Sequence, residues 1–311
     1  MPERREHEPW IQYTAGRLRR RARWARTEGL ARLVEEGELN PFDLAGRSLA
    51  SWRWRLAHRS RPPGGRAVFL VGVQRSGTNM LVRGLERAPE FEVHNEDDRA
   101  AFQRFQLRPD PVIRRLAAES RHPYVLFKPL CDSHRTADLL DGLGTRPAPL
   151  ALWAYRSVDG RARSAVAKFG DANLRVLRDL AAGGARDRWE TQRLSPESLD
   201  LVASLDWATM TPASAAALFW YLRNRLFFDL GLAERPDVLL VSYDAMVARP
   251  EAEMRRLCAF LDFPYDGRLV AGMAQRAPAG LPPLAVDPRV RARCDELAAR
   301  LEAARTGAAV P

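Results

Sequence analysis

Lysine is nearly absent from this chain. Of 49 basic side chains in 311 residues, only Lys128 and Lys168 are lysine. So strong a preference for arginine reflects a GC-rich genome, and it singles out the two lysines that were kept. Cysteine is also scarce. Cys131, Cys258 and Cys294 are odd in number and widely spaced, which excludes a disulfide framework and gives no zinc-ligand spacing. Cys258 falls at a helical apolar position and is expected to pack in a core. No apolar run approaches the length of a membrane span. The first residues, Met1-Pro-Glu-Arg-Arg-Glu-His-Glu, lack the apolar stretch of a secretory signal, so the expected location is the cytoplasm.

What remains is an ordinary globular composition with a basic excess. The 46% apolar content supplies a real core, and the length suits one large α/β domain with appendages. A net charge of +10 fits an anionic ligand, nucleic acid or a membrane surface, without choosing among them. Residues 1–65 read as a basic helical extension. Leu18, Ala22, Ala25, Leu30, Leu33 and Val34 lie roughly on one side of a helical pattern, and Trp52-Arg53-Trp54-Arg55-Leu56 follows before a Pro62-Pro63-Gly64-Gly65 linker. One reading makes this an arm touching an anionic surface through residues 1–60. The other, favoured because charge runs are usually solvated faces, is a helical pair packed on the main domain. No specific nucleic-acid partner is predicted.

From Arg66 the pattern changes. Ala67–Val73 is a continuous apolar run, expected of a strand buried on both faces, and similar runs recur at Tyr124–Phe127, Leu150–Tyr155 and Val238–Val241. Helical stretches separate them, which predicts an α/β fold with a central parallel sheet. Ser195-Pro196 and Thr211-Pro212 each place a capping hydroxyl before a proline at the first helical position. After Pro250, Met254, Leu257, Cys258 and Leu261 fall on one helical face. Residues 66–280 are expected to form the main domain, with 171–210 a helical cap over the carboxyl edge of the sheet and 281–311 a C-terminal helical tail.

The first buried strand runs into Gly72-Val-Gln-Arg-Ser-Gly77-Thr78-Asn79 and then into a helix. Backbone N–H groups at a helix start lack intrahelical partners, and the helix dipole adds positive potential, so such a loop takes an anion. Gly72 and Gly77 keep the spacing of the nucleotide-triphosphatase loop, but Thr78 and Asn79 stand where its lysine and metal-holding hydroxyl belong. The cation sits inside the loop as Arg75. A metal-dependent triphosphate donor is disfavoured, and no metal site is expected.

Gln74-Arg75-Ser76-Gly77-Thr78-Asn79 resembles the 5′-phosphosulfate loop of the sulfotransferases that use 3′-phosphoadenosine 5′-phosphosulfate (PAPS), often written P-K-S-G-T-T or R-S-G-T-T. The resemblance implies a three-layer P-loop-like fold, with Arg75, Ser76, Gly77, Thr78 and Asn79 holding the 5′-phosphosulfate. A second anchor follows the strand Leu150–Tyr155. Arg156 and Ser164, eight residues apart, match the pair that holds the 3′-phosphate in that family. The family's aspartate four residues after the arginine is replaced by Gly160, with Asp159 one position early. Tyr243, in Val238-Leu-Leu-Val-Ser242-Tyr243-Asp244, matches a tyrosine that touches the adenine; a half-buried strand-end tyrosine is an equal reading. The resemblance runs from about Ala67 to Phe263. For the C-terminal basic contact of cytosolic members, the candidate is Arg276.

The cytosolic members' K-T-H keeps its lysine here but not its histidine, because the chain reads Phe127-Lys128-Pro129-Leu130. The resemblance is therefore to bacterial and Golgi-type members, which use a glutamate after the first helix. Glu96, in Phe91-Glu92-Val93-His94-Asn95-Glu96-Asp97-Asp98, aligns best as the base, with His94 and His134 as alternatives and a solvated acidic turn as the plain reading. Lys128 would stabilise the leaving group. The implied activity is transfer of a sulfuryl group from PAPS to an acceptor hydroxyl of a carbohydrate, lipid, small metabolite or peptide side chain. A small-molecule P-loop kinase and a non-catalytic basic nucleotide- or anion-binding protein are the rival readings.

Overall fold

The apolar run at Ala67 forms strand β1 (Arg66–Gly72), whose glycine end turns into helix α1 (Thr78–Leu85). The chain continues through β2 (Phe91–His94), a small hairpin of β3 (Phe102–Gln103) and β4 (Gln106–Leu107), α2 (Asp110–Glu119) and β5 (Tyr124–Phe127). Next come α3 (Thr136–Gly142), β6 (Leu150–Tyr155), α4 (Val158–Phe169), α5 (Ala172–Ala181), α6 (Pro196–Ala203) and the long α7 (Pro212–Asp229). The last elements are β7 (Val238–Ser242), α8 (Tyr243–Ala248), α9 (Pro250–Leu261) and α10 (Pro288–Thr306). The computed structural model describes residues 53–54, 56–273 and 282–307, and the chain from Trp54 onward forms one unit. The helical pattern over 17–36, residues 1–52 of the proposed arm and Arg276 lie outside the described residues.

Five parallel strands make the central sheet, in the order β2-β5-β1-β6-β7. From β1 at the centre the chain goes to one edge for β2, returns inward for β5, then crosses β1 for β6 and β7. The carboxyl ends of β1 and β6 therefore flank the point where the winding reverses, which is where open α/β sheets form a ligand crevice.

Alternate residues of β1 serve different cores. Ala67, Phe69 and Val71 face a cluster built with α2, α5, α7 and α10, while Val68 and Leu70 face one built with α1 and α9. A continuous apolar run is what a strand covered on both faces requires. Each fully buried large side chain contributes about 1.5–3 kcal/mol, so the two layers together fix the strand ends that carry the site. The α/β architecture with flanking helices is as the sequence predicts.

Several local signals are realised as predicted. Ser195 and Thr211 accept hydrogen bonds from Ser198 N and Ser214 N at the starts of α6 and α7. Met254, Leu257, Cys258 and Leu261 are buried on one face of α9. All three cysteines are free and buried.

Other features add to the expected pattern. β2 is a fifth strand beyond the four apolar runs, paired through Phe91–Tyr124 to His94–Phe127. The Pro62–Gly65 stretch is held to the domain by hydrogen bonds from Gly64 N and Gly65 N to Ser120 O and Ala117 O. Helix α10 inserts Val290, Cys294, Leu297 and Leu301 into the larger core and packs on α7. Residues 171–210 hold helices and no strand, and their Trp189–Thr191 turn packs against the Leu130–Arg135 turn that follows Lys128.

Candidate functional site

Sheet order sets the site out in a row. Along the carboxyl edge, β2 is followed by Glu96, β5 by Lys128, β1 by the loop 73–79, β6 by Arg156 and β7 by Tyr243. The ten residues assigned as phosphate, adenine or catalytic contacts (Arg75–Asn79, Glu96, Lys128, Arg156, Ser164 and Tyr243) lie on these five strand ends, their loops or the helices they feed.

The loop is shaped by close approach. Gly72 has φ +117°, and a Cβ there would lie 2.2 Å from Ala154 O on β6, so only glycine fits. Ser133 Oγ accepts from Gly72 N (3.0 Å) and lies 2.8 Å from Gly72 O, tying the strand end to the Leu130–Arg135 turn. Arg75 is left-handed at φ +73°, a conformation that costs a non-glycine residue about 1–2 kcal/mol. Gly77, at φ +81°, caps α1 without a side-chain bond. Ser76 and Thr78 are buried, and Ser76 Oγ has no hydrogen-bond partner among the described residues.

Two of the expected contact residues touch each other. Arg75 Nε donates to Ser164 Oγ at 2.9 Å. The resemblance assigns these two residues to opposite phosphates, and the bond occupies neither the Arg75 Nη donors nor the Ser164 hydroxyl proton. Tyr243 closes the other side of the loop, for a Cβ at Gly77 would lie 2.1 Å from Tyr243 Cδ2. The Arg156 guanidinium stands 4.3 Å from the centre of the same ring. Arg75, Ser164, Gly77, Tyr243 and Arg156 therefore form one contiguous group.

Gly160 accounts for the departure from the family pattern. A Cβ there would come within 2.7 Å of Arg156 Nε, so the arginine folds back over the glycine. That Nε is buried with no hydrogen-bond partner among the described residues. The helix start is intact all the same. α4 begins at Val158, and Asp244 accepts from Ser157 N (2.6 Å) and Ser157 Oγ (3.1 Å). Asp159 turns away and pairs with Arg291 at 2.6 Å. Trp220 Nε1 donates to Arg156 O (2.8 Å), fixing the strand end to α7.

On the other flank, Lys128 joins the loop to Glu96. Its Nζ donates to Asn79 Oδ1 at 2.7 Å and lies 3.4 Å from Glu96 Oε2. Burial pushes the Glu96 carboxyl above its ordinary range, opposed by the Lys128 charge, with Asp97 and Asp132 adding to the rise. Glu96 is thus turned inward while Asp97 beside it is exposed.

The two histidines are placed differently. His94 is buried, with Nδ1 2.6 Å from Asp98 and Nε2 3.5 Å from Glu92. Burial alone would lower its pKa, but hydrogen bonds to the two carboxylates outweigh that and raise it. His134 is buried, and its pKa is depressed to about 4 by burial and by Arg223, Arg135 and Arg193. It is neutral near pH 7.

Two buried arginines escaped the sequence reading. Arg161 is fully buried and donates from Nε to Gln74 O of the loop at 3.2 Å. Arg223 is 2% exposed and donates to Trp189 O and Gln192 O of the 171–210 segment. In a chain with arginine everywhere, nothing in the local pattern marks either one. No group of three or more His, Cys, Asp or Glu side chains that could hold a metal occurs among the described residues.

No family model and no curated protein matches this chain. Among solved structures it is similar to a sulfotransferase from Alicyclobacillus acidocaldarius, at 20% identity over 79% of this chain and 96% of that one, with a TM-score of 0.44. It is also similar to the sulfotransferase domain from the curacin biosynthetic pathway, at 11% identity over 81% of this chain and 100% of that one, TM-score 0.42. A third is the sulfotransferase domain from the Synechococcus PCC 7002 olefin synthase, at 14% identity over 76% and 96% of the two chains, TM-score 0.42.

Proposed function

We propose that this protein is a sulfotransferase that moves a sulfuryl group from PAPS to an acceptor hydroxyl. One observation carries the reading: Lys128 bridges Asn79, on the first turn after the anion loop, and Glu96. A loop suited to an anion thus stands one side chain away from a carboxylate that can take a proton. The buried, partnerless Ser76 Oγ and Arg156 Nε, and the close glycine loop, suit a bisphosphorylated adenosine. Arg75, Ser76, Gly77, Thr78 and Asn79 would hold its 5′ end, Arg156 and Ser164 the 3′-phosphate, and Tyr243 the adenine.

The division of labour follows from placement. Sulfuryl transfer needs alignment and charge stabilisation more than covalent help. Glu96 accepts the acceptor's hydroxyl proton as that oxygen attacks sulfur. The bond from sulfur to the 5′-phosphate oxygen breaks, the electron pair stays on the phosphate, and Lys128 and Arg75 steady the charge that grows there. A carboxyl with a raised pKa is a stronger base than a solvated glutamate, and positioned proton transfer contributes about 10²–10⁴-fold.

The test is product formation. Purified protein is given PAPS with carbohydrate, lipid, small-metabolite and peptide hydroxyl acceptors in turn, and released adenosine 3′,5′-bisphosphate is quantified. Acceptor-dependent release supports the reading. Release of adenosine diphosphate from adenosine triphosphate with magnesium, and none from PAPS, would make the chain a kinase instead.

A further inference from the structure

We propose that Arg161 is a positioning residue for the anion loop. It sets the orientation of the Gln74–Arg75 peptide and supplies a buried positive charge beneath the loop. The inference rests on the reading of 73–79 as an anion site and goes beyond it, because Arg161 belongs to none of the motifs that suggested that reading.

Arg161 lies in the first turn of α4 and is 0% exposed. Its hydrogen bonds end on neutral oxygens: Gln74 O (3.2 Å), Asn173 Oδ1 (3.2 Å) and Ala216 O (2.9 Å). The guanidinium stands 4.9 Å from the centre of the Phe219 ring, and Nη2 has no partner among the described residues. Burial and the neighbouring Arg75 lower its pKa to about 9, which leaves it charged at neutral pH. Arg223 makes the contrast: Glu190 and Asp132 lie near enough to offset its burial in part. Arg161 has another cation as its charged neighbour.

Two consequences follow. A buried charge answered only by neutral groups is costly, and an anion brought close to it recovers part of that cost. The peptide unit is also planar and trans, so its C=O and N–H point in opposite directions. By drawing Gln74 O inward, Arg161 turns Arg75 N–H outward. With Arg75 and Gly77 both left-handed, outward N–H groups are what makes a loop concave to anions.

The experiment compares two nucleotides that differ only at the 5′ end. Affinities for adenosine 3′,5′-bisphosphate and adenosine 3′-monophosphate are measured by calorimetry on wild type, Arg161→Gln and Arg161→Lys, with the melting point of each ligand-free protein. Arg161→Gln is expected to weaken the bisphosphate by about tenfold or more while the 3′-monophosphate stays within about twofold, as loss of charge at the 5′ site requires. Its ligand-free melting point should not fall, and Arg161→Lys should recover most of the affinity. Equal weakening of both nucleotides, or weakening of neither, overturns the proposal. Should Arg161→Gln fail to fold, the lysine variant decides, since equal loss of both ligands there marks a merely structural role. Should wild type bind neither nucleotide, the nucleotide reading falls and inorganic pyrophosphate is the probe. Weaker pyrophosphate binding in Arg161→Gln then sustains the role of Arg161, and unchanged or absent binding overturns it.

Discussion

The two halves of the sheet's carboxyl edge are built on different electrostatic plans. On the β2–β5 side, Asn79, Lys128 and Glu96 satisfy one another, and cation and carboxylate stand 3.4 Å apart. On the β6–β7 side the cations make contacts of another kind: Arg75 donates to Ser164, Arg156 lies over Tyr243, and Arg161 meets carbonyl and amide oxygens. Two carboxylates on that side are committed elsewhere, Asp244 to Ser157 and Asp159 to Arg291. Under the proposed mechanism the first half exchanges a proton. The second is arranged to receive negative charge.

That contrast can be broken from either side. The largest effect is expected from Glu96→Gln, which should lower turnover by about 10²–10⁴-fold and leave bisphosphate affinity within about twofold; normal turnover would remove Glu96 as the base. Arg156→Ala should do the reverse, weakening the bisphosphate by about 10–100-fold through loss of charge-assisted hydrogen bonds, as read by calorimetry. Gly77→Ala sets a Cβ against the Tyr243 ring in a left-handed backbone, and should cost roughly 1–3 kcal/mol in denaturant unfolding as well as weaken the nucleotide.

The smallest effect is a shift in a pH profile. As the proposed base Glu96 works ionised, and burial raises its pKa while Lys128 lowers it. Activity should therefore fall on the acid side, at a pH above the ordinary glutamate range. Residual activity of Lys128→Met should fall at a higher pH still, because the opposing charge is gone. An acid limb that moves down or stays put would separate Lys128 from Glu96.

Much of this geometry was legible before the structure, for physical reasons. Strands β1, β5, β6 and β7 announce themselves because burial on both faces forces unbroken apolar runs. The loop and Arg156 stand directly after such runs and inherit their certainty. β2 was missed because it is a four-residue edge strand carrying Glu92 and His94, with too little apolar pattern to separate it from a turn. The Arg75–Ser164 contact was hidden because it joins residues 89 apart. The roles of Arg161 and Gly160 were hidden because burial and close approach leave no trace in a sequence where arginine is the default cation.

The central claim is that this edge grips a doubly phosphorylated adenosine, and the most direct measurement is a thermal melt with adenosine 3′,5′-bisphosphate in the presence of a chelator. A ligand that binds only the folded form raises the midpoint. The account predicts a clear rise for wild type, unchanged by the chelator and largely lost in Arg156→Ala. No rise at saturating ligand, or an equal rise in the variant, would contradict it.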